Sequence, residues 1–190
     1  MAEHRAIRLT AANTRISFAV RWLGALTVRG RFTSVDGLLR IPDGCVEASS
    51  ITIDIESASL RTGIAMRDRH LRGPRFLDAG RHPLISFRST RIERPNSVLV
   101  ATGRLTLHGH EHELTAICPL DYASGAGMQS LVRIGAEFRV RRSLYGIGAA
   151  RGLRGLNPLL RAIGDEVSLH AEVLVPATQL LPALLPALGH

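Results

Sequence analysis

The sequence RISFAVRW, at residues 15–22, alternates charged or small side chains with large apolar ones. Successive side chains of an extended strand point to opposite faces, so the large apolar side chains of this stretch share one face. They are Ile16, Phe18, Val20 and Trp22. The stretch therefore predicts a β-strand with one face against an apolar interior and the other against solvent.

The same alternation recurs along most of the chain. Turn residues, such as Asp36-Gly37 and Arg94-Pro95-Asn96, separate the alternating stretches. Short strands that follow one another this closely are typical of an all-β barrel or sandwich. Further strands are predicted at residues 28–32, 39–41, 51–55, 84–91, 97–107, 112–122, 131–140 and 166–174.

Three segments depart from the alternation. In residues 57–79, scattered apolar residues lie among arginines, which predicts a short amphipathic helix that Pro74 ends. Residues 145–162, rich in Gly, Arg and Leu, predict a long loop. Residues 176–190 are apolar but interrupted by prolines, and this tail could cover a barrel mouth, contact a membrane or stay disordered.

Composition bounds the class of protein. The 190 residues suit one domain, and 45% of them are hydrophobic, enough for a sizeable core. All 24 basic side chains are arginine, and the net charge of +8 favours anionic partners: phosphate headgroups, anionic membrane or nucleic acid. Nucleic acid is the weaker option, because the arginines are spread along the chain without interleaved aromatics for base stacking.

The cysteines and the first ten residues bear on the cellular location of the protein. Cys45 and Cys118 are too few for a disulfide framework. Residues 1–10 are polar and charged, unlike a secretory signal, and no run approaches the roughly 18 apolar residues of a membrane span. The expected location is the cytoplasm.

The run HGHEH at residues 108–112 is the one motif that suggests a metal. On a straight strand its histidines would share one face and could chelate an ion. Gly109 favours a hairpin turn instead, which would separate them, so no metal site is predicted, although the option stays open. No triad order, nucleophile elbow, Gly-rich phosphate loop or paired-carboxylate motif predicts catalysis.

Short motifs in a fixed order carry a further signal. They include NTRISF at residues 13–18, VRGRF at 28–32, FLD at 76–78, HP at 82–83, ISF at 85–87 and GRLTLHG at 103–109. Others stand at residues 36–37, 59–60, 62–63, 67–68, 70–71, 142, 145–146 and 163–167. Through these motifs, from about Leu9 to Val175, the chain resembles the YceI-like family.

That resemblance implies an antiparallel, lipocalin-like β-barrel of about eight strands with one or two short helices. The barrel would occupy residues 1–175, with the apolar tail at 176–190 outside it. The implied function is non-enzymatic binding, transport or storage of a long apolar lipid, such as a polyisoprenoid or quinone, with no cofactor besides a bound lipid. The alternatives are an Arg-rich protein that binds nucleic acid or an anionic surface, and a lipid-binding fold recruited as a pathway enzyme. Peripheral membrane contact and a homodimer stay open.

The lipid would lie between inward-facing side chains, with the helix near residues 66–71 partly covering it. Small inward residues, such as Gly30, Gly103 and Ala136, would leave the space, whereas the alternative is a barrel filled by its own aromatic side chains. Two of the arginines at residues 61–75 would hold an anionic or carbonyl headgroup; otherwise they form a solvated helix face. The predicted ligand-binding residues are Phe18, Val20, Trp22, Gly30, Phe32, Ile53, Met66, Arg67, His70, Leu71, Phe76, Phe87, Ala101, Gly103, Leu105, Ala136, Phe138 and Tyr145.

Overall fold

A computed structural model describes residues 4–42, 45–96, 98–123, 130–148 and 163–184. Two α-helices occur there, α1 (Ala65–Arg72) and α2 (Ala177–Leu184). The strands are β1 (His4–Thr10), β2 (Thr14–Trp22), β3 (Leu26–Phe32), β4 (Val35–Pro42), β5 (Ser50–Glu56), β6 (Leu60–Arg61), β7 (Leu84–Glu93), β8 (Leu99–Leu107), β9 (His110–Cys118), β10 (Leu120–Ala123), β11 (Leu131–Arg141) and β12 (Ile163–Pro176). The predicted turn at residues 124–127 and most of the predicted loop at 145–162 lie outside the described residues.

The described strands form one curled antiparallel sheet. Its order is β1-β4-β5-β7-β8-β9-β11-β12-β2-β3-β6, and β10 pairs with β11 beside that path. Short hairpins join β2 to β3, β7 to β8 and β8 to β9, whereas β2 also pairs with β12, a strand from the other end of the chain. The predicted fold class, an all-β antiparallel lipocalin-like barrel with few helices, is confirmed.

The sheet has twelve strands within the described residues rather than about eight. The N-terminal residues looked polar, yet β1 pairs with β4 because Ile7 and Leu9 alternate toward the core and are 6% and 0% exposed. Pro119 divides the predicted strand at 112–122 into β9 and β10, since proline cannot donate a ladder hydrogen bond.

The C-terminal apolar segment closes one end of the barrel. Helix α2 follows β12 directly and contacts β4, β11 and β12. Its Leu180 is 1% exposed, and Leu9, Val132 and Val175 in the same core are equally buried. We call this the closed end. Residues 185–190 of the predicted tail lie outside the described part of the chain, and no described helix is long and apolar enough to cross a bilayer.

Helix α1 and the residues after it lie at the opposite end, which we call the α1 end. The backbone N–H of Gly148 donates to the carbonyl of Arg75, so the segment after α1 is fastened to the turn that follows β11. Ile163, at the start of β12, pairs with Trp22 there, whereas β12 reaches the closed end at Pro176.

Replacement of a closed-end side chain should destabilise the fold. We expect Leu180→Ala to lower the free energy of unfolding by about 2–5 kcal/mol, because the truncation leaves a cavity in a packed core. Met66→Ala on α1 is the control: Met66 is 70% exposed, and its loss should change stability by less than about 0.5 kcal/mol. Urea unfolding measures both variants, and equal small effects would show that α2 does not seal the barrel.

Candidate functional site

The interior of the barrel holds a cavity of about 1090 Å³. Side chains from β2, β3, β5 to β9, β11 and β12 line it, each strand contributing alternate residues. On β11, for example, Ile134, Ala136, Phe138 and Val140 face inward, and Arg139 between them is exposed. The strands thus present an apolar wall on every side, because one face of the pleat is apolar along each strand.

Most of the predicted ligand-binding residues line this cavity. Those that do are Phe18, Val20, Trp22, Phe32, Ile53, Arg67, His70, Leu71, Phe76, Phe87, Ala101, Leu105, Ala136 and Phe138. The prediction missed further lining residues, although the alternation of their strands could have identified them: Ile16, Val28, Ile51, Ile55, Leu60, Ile85, Leu107, Leu114, Ala116, Cys118, Ile134, Val140, Ile163, Val167, Leu169, Ala171 and Val173.

Gly30 and Gly103 do not line the cavity, contrary to the prediction. A Cβ atom built on Gly30 would overlap the ring of Phe18, its partner across β2 and β3. A Cβ atom on Gly103 would overlap the ring of Phe87 from β7. Each glycine therefore gives room to an aromatic ring of the protein, and the ring, not the glycine, forms the wall.

Met66 and Tyr145 are the other two predicted ligand-binding residues that do not line the cavity. Met66 is 70% exposed and points away from the cavity, because α1 turns a different face, with His70 and Leu71, toward the barrel. Tyr145 is 1% exposed but lies outside the cavity, with its ring edge-to-face on His112 at 4.9 Å. Its burial raises the pKa of the phenol above the usual value.

A buried carboxylate holds the start of α1 in place. Asp68 is 5% exposed and accepts hydrogen bonds from the backbone N–H and the hydroxyl of Thr62. Burial alone would raise the pKa of Asp68, but those bonds and the nearby charge of Arg72 outweigh it and hold that pKa below its usual value. The carboxylate is thus ionised and fixes the turn before α1 against the helix.

The arginines of this end divide into two groups. Arg67 donates to the hydroxyl and carbonyl oxygens of Thr62, and Arg72 donates to the carbonyl of Leu60, so both are bound to the backbone. Arg69 and Arg75 also line the cavity, and within the described residues the structure gives their guanidinium groups no hydrogen bond or ion pair. In the described part of the chain, these two cavity-lining guanidinium groups are thus not committed to a backbone or acidic partner.

Arg142 is a further cavity residue that the prediction left out of the site. Its guanidinium donates to the backbone carbonyls of Ile147, Ile163 and Gly164, at 2.9–3.0 Å. It therefore fastens the start of β12 to the turn after β11 and shapes the wall at the α1 end.

The histidines of the run at residues 108–112 all lie against residues 144–146, and the rings of His108 and His110 are stacked with their centroids 6.2 Å apart. His108 and Gly109 have φ of 52° and 74° and form the β8–β9 turn, as Gly109 indicated. His110 lies with Nδ1 3.0 Å from the carbonyl of His108, whereas Nε2 of His112 lies 3.1 Å from that of Leu144. The turn directs these rings to different backbone partners.

Cys118 gives the cavity a chemical reporter. It lines the cavity and is 8% exposed, and burial raises the pKa of its thiol to about 11. Cys45 is exposed, and both cysteines are free. The reactivity of Cys45 therefore reports on solvent-exposed thiols, and that of Cys118 on access to the cavity.

We expect a thiol reagent to modify Cys45 quickly and Cys118 at least tenfold more slowly at pH 8, because few Cys118 thiols are ionised and reagent must enter the barrel. The slow reaction should accelerate as the pH rises toward 11. Mass spectrometry of the Cys45→Ser and Cys118→Ser variants assigns the two rates. Fast modification of both thiols in folded protein would place Cys118 outside an enclosed cavity.

The Asp68 contacts predict a pH-dependent contribution to stability. Asp68→Asn should lower the free energy of unfolding at pH 7 by about 1–3 kcal/mol, since a charge-assisted hydrogen bond to a buried group is lost. The folded-state pKa of Asp68 is lowered, so its contribution is present above the unfolded pKa of about 3.9 and is lost as the pH falls through the folded value.

Urea unfolding at pH 7 and at pH 3, followed by Trp22 fluorescence, measures this difference. The control is Asp36→Asn, because Asp36 is 67% exposed and pairs with an exposed Arg8. That variant should lose less than about 1 kcal/mol. The prediction is contradicted if the difference in free energy of unfolding between Asp68→Asn and the original chain is the same at pH 3 as at pH 7.

Comparisons with known proteins agree with this architecture. The model of the YceI-like domain matches residues 8–175. A UPF0312 protein of Vibrio cholerae is 35% identical over 99 residues, which is 52% of this chain and 52% of that protein. A UPF0312 protein of Vibrio parahaemolyticus is 33% identical over 105 residues, 55% of this chain and 56% of that protein. The chain thus spans about half the length of the curated relatives it matches.

Solved structures share the fold at low sequence identity. BcnA from Burkholderia cenocepacia superposes with a TM-score of 0.73 at 19% identity, over 87% of this chain and 98% of that one. The YCEI protein of Campylobacter jejuni gives 0.64 at 20%, over 78% and 84%. A polyisoprenoid binding domain from Saccharophagus degradans, implicated in plant cell wall breakdown, gives 0.63 at 14%, over 90% and 98%.

Proposed function

The chain belongs to the YceI-like family, and from that premise we propose that it binds one long apolar lipid inside its barrel and carries or stores it. The observation that supports this most directly is the cavity of about 1090 Å³ with apolar walls. Ligand pockets ordinarily measure roughly 300–1,000 Å³, so this one suits a chain longer than a typical metabolite. The similar fold of a polyisoprenoid binding domain favours an isoprenoid chain.

Energetics favour a long ligand. The cavity offers few polar partners, so affinity has to come from burial, at about 0.8 kcal/mol for each methylene. Association costs about 4–15 kcal/mol in lost freedom, which about twenty methylene groups offset even at the upper figure. A chain of several isoprene units or the tail of a quinone meets this requirement, whereas a short metabolite does not.

The two ends of the barrel suggest how such a lipid would lie. The closed end is filled by fully buried side chains such as Leu9 and Val175. Arg69 and Arg75 border the cavity near α1, where guanidinium groups can bind a phosphate or carbonyl oxygen. We place the apolar tail toward the closed end and the polar head beside these two arginines.

Surface electrostatics weigh against nucleic acid as the principal partner. Several strand arginines are neutralised by acids at short range: Arg8 by Asp36 at 3.0 Å and Arg88 by Asp54 at 2.7 Å. Arg104 is similarly 3.2 Å from Glu111. Paired arginines have to give up these contacts before they bind phosphates, so the count of arginines overstates the cationic groups that a polyanion would meet.

We propose a binding protein rather than an enzyme. Among the described lining residues, the thiol of Cys118 is held largely neutral by its raised pKa, and the lining arginines cannot act as bases at neutral pH. The imidazole of His70 also lines the cavity, but within the described residues no carboxylate or nucleophile is hydrogen-bonded to it. A recruited enzyme would need a nucleophile or a base directed at the lipid. Cytoplasmic residence, membrane contact and a homodimer stay predictions.

A cavity-filling variant tests the binding proposal. We expect Ala136→Trp to reduce bound lipid at least tenfold, because the added ring occupies the cavity. The control is Glu137→Trp, which adds the same ring on the outer face, where the Glu137 side chain is 82% exposed. Untagged proteins are examined by native mass spectrometry, and lipids released by denaturation are identified, with thermal unfolding as the check on folding.

Two results would contradict the proposal. One is equal lipid content in folded Ala136→Trp and Glu137→Trp, which would place the lipid outside the barrel. The other is no apolar adduct on the original chain, together with no uptake of polyprenol from detergent micelles.

A further inference from the structure

We infer that Asp78, His82 and His108 form a binding site for one divalent transition-metal ion, such as Zn²⁺, on the outside of the barrel at the α1 end. One carboxylate oxygen and one ring nitrogen from each histidine lie within 4.8 Å of one another. The two imidazole rings are 4.7 Å apart between centroids. The site does not depend on the proposed lipid binding.

Two separate turns bring these residues together. Asp78 and His82 lie on one turn, in which the carbonyl of Asp78 accepts the backbone N–H of His82 at 2.8 Å. His108 comes from the β8–β9 turn, 26 residues after His82 in the sequence. The histidine run at residues 108–112 therefore contributes one ligand, and its partners come from the loop after α1.

Two turns with left-handed backbone hold these residues. Asp78 and His108 have φ of 44° and 52°, and His108 shares the β8–β9 turn with Gly109. Gly109 also serves the site, because a Cβ there would stand 2.7 Å from Cε1 of His82 and would push that ring away from His108.

A backbone contact sets the tautomer of His108. Its Nδ1 lies 2.9 Å from the carbonyl oxygen of Tyr145, which can only accept a hydrogen bond. Nδ1 therefore carries the proton, and Nε2 keeps the lone pair that a metal requires. Histidine ligands in metal sites are commonly oriented by a second hydrogen bond of this kind.

Within the described residues, the carboxylate of Asp78 has no short ion pair or hydrogen bond. Its side chain is 13% exposed, and the described cation paired with it, Nε of Arg81, is 3.9 Å away on a side chain that is 84% exposed. A carboxylate with so little access to water is normally paired with a close cation or a metal. A divalent ion between Asp78 and the two histidines would supply that charge.

The donor set identifies the class of metal. Two imidazoles and one carboxylate, with water in the remaining position, suit Zn²⁺ and neighbouring divalent ions rather than Ca²⁺ or Mg²⁺. Bonds of about 2.0–2.2 Å in a tetrahedral site place two ligand atoms about 3.3–3.6 Å apart. The ligand atoms now lie within 4.8 Å of one another, so the two turns have to approach by up to about 1.5 Å when the ion binds.

Such an ion would also act on the cavity. Asp78 directly follows Leu77, and residues 73–77 line the cavity at the α1 end. Joining Asp78 and His82 to the β8–β9 turn would tether this lining segment to the strands. The metal would serve as a structural clip at the α1 end, raising the stability of the loaded protein by mass action.

The test uses the full untagged chain, stripped with a chelator and titrated with ZnCl₂ by calorimetry. We expect one Zn²⁺ per chain and a rise in the unfolding temperature. Asp78→Asn and His82→Gln should each weaken binding at least about tenfold, as loss of a supporting group already does at metal sites. Asparagine tolerates the left-handed backbone of residue 78, so Asp78→Asn should fold.

His112→Gln and His170→Gln are the matched controls, because the ring of His112 lies on Tyr145 and that of His170 lies beside Glu137, away from the three ligands. Both should bind Zn²⁺ like the original chain, and Co²⁺ should give the visible absorption of a low-coordinate site in the original chain but not in His82→Gln. The inference is overturned if no stoichiometric binding occurs, or if folded His82→Gln binds normally while His112→Gln does not.

Discussion

The period of two along each strand is the constraint on which the rest of this structure depends. Once the strands are hydrogen-bonded into one curled antiparallel sheet, alternate side chains from nine strands have to meet in a single interior. A shift of one residue in any register would turn an apolar row outward and a charged row inward. The ladder that holds the backbone therefore also decides the chemistry of the cavity wall.

Whether such an interior is filled or open is decided by how its large side chains lie. The rings of Phe18 and Phe87 occupy the space beside Gly30 and Gly103 on neighbouring strands, space that any larger residue at those two positions would fill. Small residues at Ala101, Ala116 and Ala136 line other parts of the same wall. The glycines create space indirectly, by giving the aromatic rings a place against the sheet.

The two ends of the barrel are built on different physical principles. Buried apolar side chains, including Leu180 of α2, fill the closed end. Polar contacts hold the α1 end: Asp68 binds Thr62, and Arg142 binds the backbone of β12. Polar contacts are directional, and they keep their positions while leaving a cavity beside them, whereas an apolar core is stable only when it is filled. In the binding proposal, this difference is the reason for placing the polar head of the lipid at the α1 end.

Most of the strands, the helix that ends before Pro74 and most of the cavity wall follow from the sequence alone, because alternation is a local property of consecutive residues; β1 and β6 were not predicted. The sequence also indicated the turn at Gly109, since a glycine there favours positive φ. Only the tertiary structure decided that Gly30 and Gly103 lie beneath aromatic rings, that Arg67 is bound to Thr62 while Arg69 is not, and that Tyr145 is buried outside the cavity. It alone brought His82 beside His108. These outcomes depend on contacts between segments that are distant along the chain, and no local pattern of residues encodes which of them will meet.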